Sequence, residues 1–88
     1  MANHPSAEKR HRQNIKRRTR NAARRSKVRS AVRKLEQALA NKDREAGQDL
    51  LQKAISSISK ARSKGIFHKR TAARKVSRLS RKVARTFQ

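Results

Sequence analysis

Residues 28–43, VRSAVRKLEQALANKD, decide the fold. Val28, Ala31, Val32, Leu35, Ala38 and Leu39 recur at i, i+3 and i+4, the spacing that lines one face of an α-helix. ANKD, residues 40–43, then interrupts the pattern as a turn. Asp43 is placed to cap a second helix, and Glu45 falls in its first turn, where the helix dipole favours a carboxylate. A helix with one apolar stripe must bury that stripe, and the segment beyond the turn has to supply the cover.

The next two segments repeat the pattern. Leu50, Leu51, Ala54, Ile55, Ile58 and Ala61 form the stripe of the second helix, with Gly47 near its start costing a little helix stability. SKGIF, residues 63–67, closes that helix, and Gly65 suits the left-handed position after a last turn. A third helix is expected from about His68 towards Arg85, with Ala72, Val76, Leu79, Val83 and Phe87 on one face. Nothing alternates with the period of two that marks a strand. Three amphipathic helices joined by two short turns predict an all-α fold, an antiparallel three-helix bundle in a single domain, residues 1–88.

Upstream of residue 28 the stripe fades. RRTRNAARRSKVRS, residues 17–30, has Arg or Lys at seven of its fourteen positions and no acid. At about 100° per residue these bases point in nearly every direction, leaving no face for a core. Pro5, Ser6 and Glu8 read as a helix start, with Ser6 as its cap. At about 1.5 Å per residue the first helix spans roughly 50 Å and the others nearer 30 Å. Folded back from the 40–43 turn, the second helix reaches only to about residue 20. Before that point Ile15, Ala7 and scattered alanines are the apolar residues. Residues 6–20 are therefore expected to project as a basic arm, with residues 21–88 forming the bundle.

Charge bounds the function. The 88 residues carry 27 Lys plus Arg against 5 Asp plus Glu, a formal net charge of +22. Residues 1–34 hold 13 bases and one acid, residues 35–59 three bases and four acids, and residues 60–88 eleven bases and no acid. A small chain with that self-repulsion calls for a polyanion, and nucleic acid is the usual one. Tyr and Trp are absent, and Phe67 and Phe87 sit where packing explains them. Base stacking on exposed aromatics, as single-strand readers use, is thereby excluded. The expected mode is phosphate and shape recognition of folded, double-helical nucleic acid.

Other classes find little support. RNAARRSKVR, residues 20–29, has the flavour of a leucine-zipper basic region, but the heptad from Leu35 lands on Lys42, Asp49 and Ser56. The acids suit capping and pairing better than acid–base catalysis, so no catalytic residue and no enzyme activity are expected. His4, His11 and His68 lack metal-ligand spacing, and Cys is absent, so neither a metal nor another cofactor is expected. Gly47 and Gly65 make no phosphate loop, and Ser56, Ser57 and Ser59 read as surface hydroxyls. With no apolar leader at the start and no run near the ~20 residues that span a bilayer, an intracellular protein without a membrane partner is expected.

Two blocks then carry a family resemblance. The first is MAN..SA.KR.RQN.KRR.RN.ARRS.VR at the N-terminus, and the second is KGIFHK..AARK.SRLSRKV near the C-terminus. The chain resembles the bacterial ribosomal small-subunit protein twenty family over nearly its whole length. Glu8 departs from the Lys more usual at its position, and His4-Pro5 from a more usual Ile-Lys. The resemblance implies a three-helix bundle whose long first helix lodges among RNA helices. It also implies direct binding of small-subunit ribosomal RNA during assembly, and a place in the cytoplasmic small ribosomal subunit. Other ribosomal components are the further partners expected, with no small-molecule substrate and no homo-oligomer. Matched positions give the RNA-binding candidates: Lys9, Arg10, Arg17, Arg18, Arg24, Arg25 and Arg29 in the first block, and Lys64, His68, Lys69, Arg74 and Arg78 in the second. His68 serves equally well on paper as a phosphate donor or as a helix cap. The rival reading is a nucleoid-type, non-specific DNA-binding protein, which shares the charge but leaves the second block unexplained.

Overall fold

The computed structural model describes residues 5–88, so the readings on residues 1–4, His4 among them, lie outside the described residues. The described residues form three helices and no strand: α1 Pro5–Ala40, α2 Arg44–Ser63 and α3 Lys69–Thr86. α1 already contains Ser6, so Ser6 is not its cap. Pro5 opens the helix instead, where a missing N–H costs nothing because no carbonyl precedes it in the helix.

Both turns are built by their hydrogen bonds. After α1, the Asp43 N–H donates to the Ala38 carbonyl at 3.0 Å and the Lys42 N–H to that of Leu39 at 3.1 Å. This is a Schellman closure, and it puts Lys42 in the left-handed region at φ 54°. The same closure ends α2, with the Ile66 N–H on the Ala61 carbonyl at 2.9 Å and Gly65 at φ 76°. A glycine takes that conformation freely, whereas a Cβ there meets the following carbonyl at a cost of about 1–2 kcal/mol. Lys42→Gly is therefore expected to stabilise the free protein by about 1 kcal/mol, read as a higher urea midpoint at unchanged slope.

Side chains cap the following helices. Asp43 accepts from the Ala46 N–H at 3.1 Å and starts α2, as its position before the helix suggested. His68 is the N-cap of α3, its Nδ1 accepting from the Arg70 N–H at 3.1 Å. In the neutral ring this fixes the proton on Nε2, which remains a donor towards solvent.

α2 is the centre of the bundle. α1 and α3 both pack on it, while they meet each other only loosely across a groove. The shared core holds Val28, Leu35 and Leu39 from α1, Ala54, Ile58 and Ala61 from α2, and Ala72, Leu79 and Val83 from α3. Ile66, Phe67 and Phe87 pack around it, half-buried. α2 runs antiparallel to α1, because Arg24 and Lys27 lie beside Lys60 and Ser57 in one cleft. α3 runs back alongside α1, with Lys82 Nζ 3.4 Å from Glu36 Oε1. Gly47 has a packing reason: a Cβ there would come within 2.9 Å of Phe87 Cε2. The apparently wasteful glycine in α2 thus admits the ring at the end of α3.

Candidate nucleic-acid interface

Burial along α1 changes abruptly. Every residue from 6 to 20 is exposed, Asn21 is the first to be half-buried, and Val28 is the first to be buried. The molecule measures 64 × 23 × 15 Å, several times longer than it is thick. Helix length explains this shape: 36 residues in α1 outrun the 20 of α2, and α2 ends beside Arg24.

The exposed part of α1 carries five of the candidate residues outright. Lys9, Arg10, Arg17, Arg18 and Arg25 are all exposed. Arg17, Arg18 and Arg25 surround a shallow concavity of about 340 Å³ together with Asn14 and Asn21. Asparagine amides among guanidinium groups add both donors and acceptors, so this hollow can hydrogen-bond hydroxyl groups as well as anions.

The other candidates lie around the bundle. Arg29 and Arg78 face one another across the α1–α3 groove, about 390 Å³ in volume. Val28, Val32 and Leu79 form its apolar floor, and Arg33 and Lys75 add charge to its rim. Lys75 also stands 5.2 Å from the centre of the Phe67 ring, close enough for a cation–π contact. Lys69 and Arg74 are exposed on the first half of α3, and Arg78 also joins Arg81, Lys82 and Arg85 around a smaller hollow. Arg24 is half-buried and meets Lys64 in the α1–α2 cleft. His68 acts as the cap described above, and its ring is exposed.

Residue-by-residue reading left out Lys27, Arg33, Lys60, Lys75, Arg81 and Arg85. These flank the apolar stripes, where a helical projection would have placed them. The missing information was which helix each faces, which follows only from the antiparallel register. Ser57 is a correction: it is half-buried in the α1–α2 cleft and not a plain surface hydroxyl, because it adjoins Ile58 on the side of α2 turned to α1.

The charge is almost uncompensated. Among the described residues, Asp49 pairs with Lys53 at 3.2 Å and Glu36 with Lys82 at 3.4 Å. All 27 Lys and Arg lie within the described residues, so 25 of them have no carboxylate partner. Asp43, Glu45 and Asp49 sit at the turn end of the bundle, at the opposite end of α1 from residue 6. The protein is thus electrically polar along its long axis. No helix among the described residues is long and apolar enough to cross a membrane.

Comparison with known proteins agrees with this picture. The family model described as ribosomal protein S20 matches residues 2–84. The chain is 52% identical over 83 residues to a protein of Syntrophus aciditrophicus strain SB, covering 94% of this chain and 93% of that one. It is 49% identical over 83 residues to one from Syntrophobacter fumaroxidans, covering 94% and 96%. A third relative, from Anaeromyxobacter sp. strain K, is 52% identical over 85 residues, covering 97% and 93%. Each of these three is named small ribosomal subunit protein bS20.

Proposed function

The chain belongs to the ribosomal protein S20 family, a family of structural proteins and not of enzymes, and from that membership we propose its role. It is a component of the cytoplasmic small ribosomal subunit that binds small-subunit ribosomal RNA directly and steadies the packing of RNA helices during assembly. One observation carries the RNA contact: residues 6–20 of α1 are exposed on every side and carry bases on every side. A helix of that kind can be neutralised only by anions that surround it, and several RNA segments together provide them.

The mechanism is electrostatic cross-linking. RNA helices repel one another through their phosphates. Bases pointing in opposite directions from one rigid axis attract two segments at once, and α1 sets their separation. Lys9, Arg10, Arg17, Arg18 and Arg25 do this along the arm. Arg24 and Arg29 do it where α1 enters the bundle, with Lys64, Lys69, Arg74 and Arg78 extending the surface across α2 and α3. The exposed Nε2–H of His68 adds a hydrogen bond to a phosphate while Nδ1 holds the cap. Most of these contacts position the protein without reading sequence.

Chemical footprinting on naked small-subunit ribosomal RNA, with excess duplex DNA as competitor, tests this. Discrete protected patches on separate RNA helices that survive the competitor are expected. Diffuse protection lost to the DNA would instead favour the non-specific DNA-binding reading.

A further inference from the structure

We propose that the cleft between α1 and α2 is a preformed seat for one phosphodiester group of the RNA backbone. The proposal rests on the RNA-binding role above and places one contact in the body of the bundle. The cleft, about 270 Å³, is lined by Arg24, Lys27, Ser57, Lys60, Ala61 and Lys64. Four of these six side chains are cationic and none is acidic.

Burial of their neighbours fixes where these cations stand. Lys27 precedes Val28, Ser57 precedes Ile58, and Lys60 precedes Ala61, and the three apolar residues are 4%, 0% and 1% exposed. The backbone on both sides of the cleft is therefore pinned by the core. Four like charges line this one cleft, and an anion between them converts their mutual repulsion into attraction. Two helices bring these four cationic side chains to the walls of one cleft. Arg24 is half-buried beside the cleft, and a planar guanidinium can take two phosphate oxygens at once. The small side chains of Ser57 and Ala61 leave the floor open, and the Ser57 hydroxyl adds a donor.

Size and continuity decide the ligand. Pockets for organic small molecules usually run to about 300–1,000 Å³. This cleft lies at the small end of that range, and its lining side chains offer no acceptor besides a hydroxyl. Towards the arm, Lys16, Arg20, Arg24 and Lys27 follow one another at intervals of three and four residues, on one face of α1. Successive cations are thus roughly 4.5–6 Å apart along the axis. A single carboxylate of a protein partner would use one of them. A phosphodiester strand lying along α1 uses the whole row and ends in the cleft.

The test compares full-length variants on naked small-subunit ribosomal RNA. Lys27→Gln with Lys60→Gln removes two charges from the cleft, and both side chains are exposed, so the core is untouched. Arg44→Gln with Lys53→Gln removes the same charge from exposed positions of α2 near the acidic end. The cleft variant is expected to lose one protected patch and to flatten the slope of log affinity against log salt by about 1. The control pair is expected to keep every patch, and Lys27→Arg with Lys60→Arg to keep the patch that Gln removes. If the Gln cleft variant retains every patch and a slope within error of the control pair, the cleft is not a phosphate seat, although the RNA-binding role stands. If the unsubstituted protein itself gives no discrete patch, the RNA-binding role falls and the seat with it.

Discussion

Raising the salt from about 50 to about 200 mM is expected to weaken binding to small-subunit ribosomal RNA by roughly 10⁴- to 10⁵-fold. The expectation follows from counting. Of 27 bases, 25 have no carboxylate partner among the described residues, and those on residues 6–20 have no protein around them. If about ten engage phosphates, released counterions give a slope of roughly −7 to −9 against log salt. A filter-binding or fluorescence titration at four salt concentrations measures it. A slope near −2 would mean that only about two or three phosphates are contacted, and the arm could not then be cross-linking anything. Loss of fold cannot imitate this result. Salt screens repulsion over a Debye length of about 10 Å at 0.1 M, so the free protein should become more stable across the same range. Thermal melting of the free protein under the same conditions is the control, and affinity and melting temperature should move in opposite directions.

The architecture was legible because each helix solves a local problem that its own sequence states. The spacing of Val28, Leu35 and Leu39 fixes which side of α1 is buried, and Asp43 and Gly65 mark where two of the helix boundaries must fall. Ser6 misled because capping chemistry and helix membership are both open to a serine, and α1 begins one residue before it, at Pro5. Lys42 carried no signal at all. A lysine in the left-handed region is dictated by the hydrogen bonds of the closure, and nothing in its own preference predicts it. Gly47 was visible only as a cost, since its benefit depends on Phe87, forty residues away. The same limit applies to the interface. Family blocks point to Arg24 and Lys64 one at a time, but their meeting with Lys27 and Lys60 is a property of the antiparallel register. The looseness between α1 and α3 likewise had no sequence signature, because it comes from α2 occupying the centre.

Leu35→Ala or Ile58→Ala is expected to abolish, or nearly abolish, the folded free protein. These are the two largest side chains that are fully buried, each 0% exposed. Four of the ten buried apolar residues are alanines, so few large side chains carry the core. A truncation of this kind typically costs about 2–5 kcal/mol. At about 0.05–0.15 kcal/mol per residue, a chain of this length has roughly 4–13 kcal/mol in total, and 25 unpaired bases push it towards the lower end. Circular dichroism should show a melting midpoint lowered by more than about 10 °C. Ile15→Ala is the matched control, being 48% exposed on the arm, and should leave the midpoint unchanged. A midpoint for Leu35→Ala within a few degrees of the parent would mean that the core is not what holds the helices together. RNA supplies the second half of the test. A ligand that binds only the folded state at about 100 times its dissociation constant adds roughly 2.7 kcal/mol, comparable to the loss. Adding small-subunit ribosomal RNA at low salt should therefore restore the helical signal of the truncated variants, and raising the salt should remove it again. The free chain sits near its threshold because the charge that makes it bind also opposes its folding, and the RNA relieves both at once.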